Sequence, residues 1–172
     1  MHRYSVLIVL LSTALTAACS SPRATEAAAG AGPAKPASSP AAAVHDGRAL
    51  EVTAADTMKF SVTEFTAKRG EKLSVTLVNL GTTPKFSMGH NWVLLVAGTD
   101  VPSFLVAAAE AVTADYVPAA QKGRIIASTK LLGPNERDTV TFTAPDTPGR
   151  YEFLCSFPGH YQVGMRGVLI VE

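Results

Sequence analysis

The sequence predicts an all-β domain, a Greek-key sandwich or barrel of about eight strands with one short helix outside it. Three observations lead there. Short runs in which apolar residues alternate with polar or β-branched ones recur from residue 50 onward. Clusters of Gly, Pro, Asn and Asp separate them. Only one segment carries apolar residues at helical spacing.

The expected strands are LEVTAA (50–55), MKFSVTEFTA (58–67), KLSVTLVN (72–79), NWVLLV (91–96), RIIAST (124–129), DTVTFTA (138–144), RYEFLC (150–155) and GVLIVE (167–172). Turns are expected at 68–70, 81–84, 133–135 and 146–149, where glycine and proline concentrate. The exception is PSFLVAAAEAVTADYV (102–117), with Pro102 and Ser103 at its start and an Ala-rich body. It reads as a short helix between two strands.

Upstream of this domain the composition changes twice. Residues 1–18 carry Arg3, an apolar run from Val6 to Leu11, and small residues before Cys19. That order describes an export signal, and the apolar run is too short to span a bilayer. TAAC at 16–19 resembles the lipobox of bacterial lipoproteins, whose cysteine is acylated and becomes the new N-terminus. The alternative is an ordinary secretory signal ending on a chance cysteine. Two or three acyl chains on Cys19 imply a lasting membrane anchor. Residues 19–49 are rich in Ala, Pro, Ser and Gly and offer nothing to nucleate a core. They are expected to act as a linker reaching on the order of 90 Å when fully extended. Residues 50–172 are the length of one ordinary domain.

Charge narrows the function. Fifteen Lys and Arg stand against fourteen Asp and Glu, a formal net charge of +1. Nucleic-acid binding needs a strong basic excess, so it is not expected. The chain has two cysteines. With Cys19 committed to the signal junction, Cys155 stands alone in an oxidising compartment, a hazard unless something occupies it.

The occupant is suggested by CSFPGHYQVGM (155–165), which holds Cys155, His160 and Met165 on one loop after an expected strand. Taken singly, each has a bland reading: a satisfied polar histidine, a small core cysteine, a gap-filling methionine. Met58 and Met88 keep that reading by default. Together, a thiolate, an imidazole and a thioether on one short loop are most of the set that holds blue copper, two His and a Cys with a weak axial Met. A second histidine must come from elsewhere. The chain has four; His2 lies in the signal and His45 in the linker, which leaves His90. The expected ligands are therefore His90, Cys155, His160 and Met165, around one copper ion.

MGHNWVL (88–94) with CSFPGHYQVGMRG (155–167) resembles the azurin branch of the cupredoxins, and the C-x₄-H-x₄-M spacing is closer to that of auracyanin-like proteins than to azurin proper. STKLLGPNERDTVTF (128–142) extends the resemblance over nearly all of the domain. The resemblance implies further roles. The Gly89 carbonyl would approach the metal opposite Met165. Asn91 would brace the ligand loop, and the Phe157 N–H would point at the thiolate. Trp92 would be a core residue. Met88, Phe157, Pro158 and Gly159 would form an apolar docking patch over His160. The chain departs from azurin in lacking a cysteine pair for a disulfide, in having one more residue between His and Met, and in having no spare histidine.

A copper with only protein ligands has no open position for substrate, so no enzyme is expected. The expectation is a monomeric type 1 copper protein carrying one electron at a time. It would be tethered by lipid on Cys19 in the bacterial periplasm or on the outer face of the cytoplasmic membrane. Its partners would be redox proteins, such as a cytochrome or another electron-transfer complex, met transiently in a respiratory or photosynthetic chain. The alternative is a periplasmic lipoprotein that scavenges or delivers copper through the same site.

Overall fold

A computed structural model describes residues 47–172; the expected signal peptide (1–18), Cys19 and nearly all of the linker lie outside the described residues. The domain is built from eight strands: β1 Arg48–Ala54, β2 Glu64–Ala67, β3 Lys72–Asn79, β4 Val93–Leu95, β5 Ile125–Ser128, β6 Arg137–Thr143, β7 Gly149–Leu154 and β8 Arg166–Val171. Two α-helices join them, α1 Lys85–Met88 and α2 Val101–Glu110, with 3-10 turns at Val112–Ala114 and Ala119–Arg124.

The strands form two sheets, ordered β1-β3-β6 and β2-β8-β7-β4-β5. β1 runs parallel to β3, and β2 parallel to β8; the remaining pairs are antiparallel. Alternation in β3 explains the packing. Leu73, Val75 and Leu77 turn into the core, while Ser74 and Thr76 bond across to Thr141 and Thr139 on β6, each at 2.8 Å. One apolar cluster draws on both sheets, with Leu73, Leu77, Trp92, Phe142, Phe153 and Leu169 among its members.

β4 and the end of β7 do not alternate; Val93, Leu94, Leu95, Phe153 and Leu154 are all buried. They are covered on both faces, so a continuous apolar run is what the position demands. Leu94 and Phe153 face the sandwich core. Val93, Leu95 and Leu154 form a second cluster with Val101, Phe104 and Ala108 of α2. The helix thus lies on the outer face of the five-stranded sheet.

Several elements differ from expectation. β1 begins at Arg48 rather than residue 50. The expected strand at 58–67 is cut to Glu64–Ala67. Met58 adopts a left-handed conformation, φ 54°, and Phe60 makes only an isolated bridge to Ala54. The expected helix at 102–117 stops at Glu110, and Asp115 and Tyr116 turn left-handed at φ 56° and 59°. Nor is α1 foreseen: KFSM is one turn, too short for periodicity to register, entered from Pro84 in an extended conformation.

Candidate metal centre

Each expected ligand is delivered by its own backbone device. Cys155 follows β7 directly, and its N–H donates to the Met165 carbonyl at 3.1 Å. The loop between them folds on itself: His160 N–H donates to Phe157 O at 3.2 Å, Gly164 N–H to Tyr161 O at 2.9 Å, and Met165 N–H to His160 O at 3.0 Å. Gly159 takes a left-handed φ of 87°, which favours glycine at this turn. His90 arrives from between α1 and β4. It exchanges two backbone hydrogen bonds with Leu132, at 3.1 and 2.8 Å. Gly89 before it has an ordinary extended backbone, so its need is space. A Cβ there would stand 2.7 Å from the Lys85 carbonyl oxygen and 2.8 Å from the Leu131 side chain.

These devices bring three side chains to one point. Nδ1 of His90 lies 3.3 Å from Nδ1 of His160, and the latter lies 3.4 Å from Sγ of Cys155. Ligand atoms of the three residues all fall within 4.8 Å of one another. His90 and Cys155 are fully buried and His160 is 3% exposed. Met165, also fully buried, packs in the same core cluster as Cys155.

The electrostatics explain what such a cluster wants. Burial pushes the Cys155 thiol up to about 12, against the opposing pull of the Asn91 and Phe157 N–H groups on its sulfur. Burial, and then the charge of His90, pushes His160 down to about 4. Burial also lowers His90, with the Ala55 carbonyl and the Asp56 charge leaning the other way. The Ala55 carbonyl acts without reaching hydrogen-bond geometry, since His90 Nε2 is buried and makes no hydrogen bond. Both rings are therefore neutral near pH 7. Two Nδ1 atoms at 3.3 Å share at most one proton, and the buried thiol has two backbone N–H groups and the neutral His160 ring beside it but no cation. A bound cation relieves all three, taking both lone pairs and converting the thiol to a thiolate. Two imidazoles and a soft sulfur fit copper well.

A second set of residues holds the loop to the body. Asn91 Nδ2 donates to Ser156 Oγ at 2.8 Å and to the Asp115 carbonyl at 2.9 Å. Asn91 Oδ1 accepts from the Ser156 N–H at 2.8 Å, and Ser156 Oγ donates to the Tyr116 carbonyl at 2.7 Å. The structure thus brings Asn91 against the loop, and adds Ser156, which the sequence reading missed; its place directly after Cys155 was the only signal. The two left-handed residues Asp115 and Tyr116 now have a reason: they aim their carbonyls at this network. Phe157 stacks on the His160 ring at 4.6 Å between centroids and meets Tyr116 edge-on at 5.0 Å.

The expected docking patch needs correction at one member. Phe157 is only 9% exposed because it is sandwiched between His160 and Tyr116. Met88 is half-buried, while Pro158 and Gly159 are exposed. Phe86 on α1, absent from the sequence reading, is 83% exposed on the turn that leads into His90.

Comparison with known proteins agrees with this geometry. Residues 48–172 match the copper binding proteins of the plastocyanin/azurin family. Azurin of Pseudomonas chlororaphis is 36% identical over 126 residues, which covers 72% of this chain and 97% of that protein. Auracyanin-B of Chloroflexus aurantiacus is 36% identical over 124 residues, 71% of this chain and 51% of that protein. Outer membrane protein H.8 of Neisseria gonorrhoeae is 36% identical over 114 residues, 65% of this chain and 61% of that protein. Among solved structures, an auracyanin from Roseiflexus castenholzii superimposes with a TM-score of 0.61 at 38% identity, covering 72% of this chain and 96% of that one. The domain is a cupredoxin, a blue copper fold. The chain belongs to the plastocyanin/azurin family of copper-binding proteins, which are electron carriers rather than enzymes.

Proposed function

We propose that this chain carries one electron at a time through a copper ion that Nδ1 of His90, Nδ1 of His160 and the thiolate of Cys155 would hold, with the Met165 thioether and the Gly89 carbonyl as weaker additional ligands. The observation that carries this reading is the convergence of three buried donor atoms, within 4.8 Å, on residues of neutral or soft character. Copper bound there would supply a one-electron couple between Cu(I) and Cu(II), which thiolate and imidazole ligands suit.

The chain's own residues set the conditions. Burial of all three donors keeps water from the metal and leaves no position for a substrate. The Asn91 and Phe157 N–H groups favour negative charge on the sulfur, which tunes potential. The Asn91–Ser156 pairing ties the ligand loop to the strand entry that carries His90, so both halves of the site move as one. His160, 3% exposed, lies next to the exposed Pro158 and Gly159 in the loop and is the exit for the electron. With Met88, and with the exposed Phe86 on the turn that leads into His90, these residues would offer an apolar face suited to brief encounters with a redox protein, a cytochrome or another electron-transfer complex.

The remaining expectations belong to the same proposal: a signal at 1–18, lipid on Cys19, a linker at 19–49, and a monomeric domain at 50–172 held at a bacterial membrane facing the periplasm. The printed name of one relative, an outer membrane protein, supports the membrane setting. Copper delivery is the rival, and full burial of the ligands favours the carrier.

The test is an absorption spectrum and redox titration of the full-length protein with Cu(II), beside Cys155→Ser. An intense visible thiolate-to-copper band, reversibly bleached by reductant and absent in the variant, is the expected result. A protein that sheds copper on reduction moves the assignment to metal delivery.

A further inference from the structure

The two halves of the ligand loop are secured differently. The first half is tied inward, through Ser156 to Asn91 and through Phe157 to the His160 ring. The second half runs outward: Gln162 and Val163 are exposed, and Gly164 takes a left-handed φ of 93°. Its side-chain ties are on its flanks. On one flank Lys59 Nζ donates to the Val163 carbonyl. On the other, the Tyr161 hydroxyl donates to Glu152 Oε1 at 3.1 Å and accepts from Arg166 Nη1 at 2.7 Å. The Arg166 guanidinium also sits over the Tyr161 ring, 4.7 Å from its centroid.

The positions of these three residues in the chain give the arrangement its meaning. Tyr161 follows His160, Arg166 follows Met165, and Glu152 lies on β7 three residues before Cys155. One hydrogen-bonded chain therefore joins the segments that carry all three loop ligands. Its bonds are charge-assisted at both ends, and stronger than neutral ones for that reason. The Tyr161 ring itself packs against the cluster of Val93, Leu95, Leu154 and Phe104, so the hydroxyl has a firm base.

We infer that Tyr161, clamped between Glu152 and Arg166, is a positioning residue that fixes the 160–165 segment and with it the approach of Met165 to the metal. The inference rests on the copper reading above. The axial thioether is the weakest and longest bond of such a set, and it is the one that tunes potential. A loop segment free to shift would change it first.

The test uses the full-length copper-loaded protein with Tyr161→Phe, Arg166→Met and Glu152→Gln. Tyr161→Phe keeps the ring and removes only the hydroxyl. It is expected to weaken copper binding by roughly tenfold, the lower end for loss of an outer-shell partner, and to change the visible band and the midpoint potential. Arg166→Met is expected to do the same. Glu152→Gln, which keeps an acceptor oxygen but removes the charge that strengthens the bond, is expected to move the band and the potential in the same direction by less; a change as large as that of Tyr161→Phe, or none while Arg166→Met has its effect, takes Glu152 out of the clamp. Should Tyr161→Phe and Arg166→Met keep the parent's copper affinity, spectrum and potential and lose only thermal stability, the clamp is overturned while the copper site stands. A parent protein without the visible band overturns both.

Discussion

His160 and Cys155 are pushed in opposite directions by the same cause, and the pH profile of the metal-free protein follows from the signs. His160 goes from an ordinary 6.5 down to about 4. The folded state holds it neutral, so its stability contribution is full above 6.5 and is lost as pH falls toward 4. Cys155 goes from 9.0 up to about 12. The folded state holds it as the thiol, so that contribution is full below 9 and is lost as pH rises toward 12. The metal-free melting temperature is expected to plateau between roughly 6.5 and 9 and to fall on both sides; a flat profile across the acid limb removes the burial argument for His160. Copper must displace the Cys155 proton, so binding near neutral pH is expected to release about one proton per copper, countable in weakly buffered solution. Asn91→Ala leaves the Ser156 N–H without its acceptor in a buried place. It is expected to cost about 2 kcal/mol by denaturant titration. Trp92 offers a probe: it is fully buried among Phe142 and Phe153, and its indole N–H makes no hydrogen bond. Its emission is expected far to the blue, as in a hydrocarbon solvent; emission at the wavelength of a solvated indole contradicts that burial.

At the scale of elements, the loop and strand pair around Cys155 does most of the positioning, and α2 supports it from outside. Phe104→Ala empties the cover over Val93, Leu95 and Leu154 and is expected to cost about 3–5 kcal/mol, measured by chemical denaturation. Gly167, second residue of β8, lets the chain pass close to β7 and the 58–63 loop; an added Cβ would meet the Phe153 ring at 2.2 Å and the Thr63 carbonyl at 2.4 Å. Such tolerances separate what could be read in the sequence from what could not. The grouping of His90, Cys155 and His160 was legible because Cys155 and His160 are near neighbours in the chain, and His90 followed because no other histidine lay within the domain. The strands were legible from alternation, even where double burial in β4 replaced it with a plain apolar run. The stop of α2 at Glu110 was not, because Asp115 and Tyr116 are bent to serve Asn91 and Ser156, a partnership spanning tens of residues. The burial of Phe157 escaped for the same reason: it depends on Phe157 lying between the rings of His160 and Tyr116, which the chain order does not state.

For the whole molecule, what is absent from the fastening matters as much as what is present. Among the described residues the one cysteine, Cys155, is a free thiol, so no disulfide closes the sandwich. The ion pairs Arg137–Glu51 and Arg150–Glu64 are solvent-exposed and are worth little. Stability then rests on the two apolar clusters and on whatever binds the native site alone. A ligand present at a thousand times its dissociation constant adds about 4 kcal/mol, so the copper-loaded protein is expected to melt well above the metal-free one in calorimetry. The direction in which the chain enters the sandwich has its own consequence. β1 begins at Arg48, paired with Leu73, and ends at Ala54, paired with Asn79, whose side chain donates to Leu132 beside His90. Seven strand residues, about 20 Å, therefore separate the point of entry from the end beside the His90–Cys155–His160 cluster. A tether on the N-terminal side thus attaches at the far end of β1 from His90, so a partner approaching the His90–Cys155–His160 cluster meets a surface that the attachment point does not occupy.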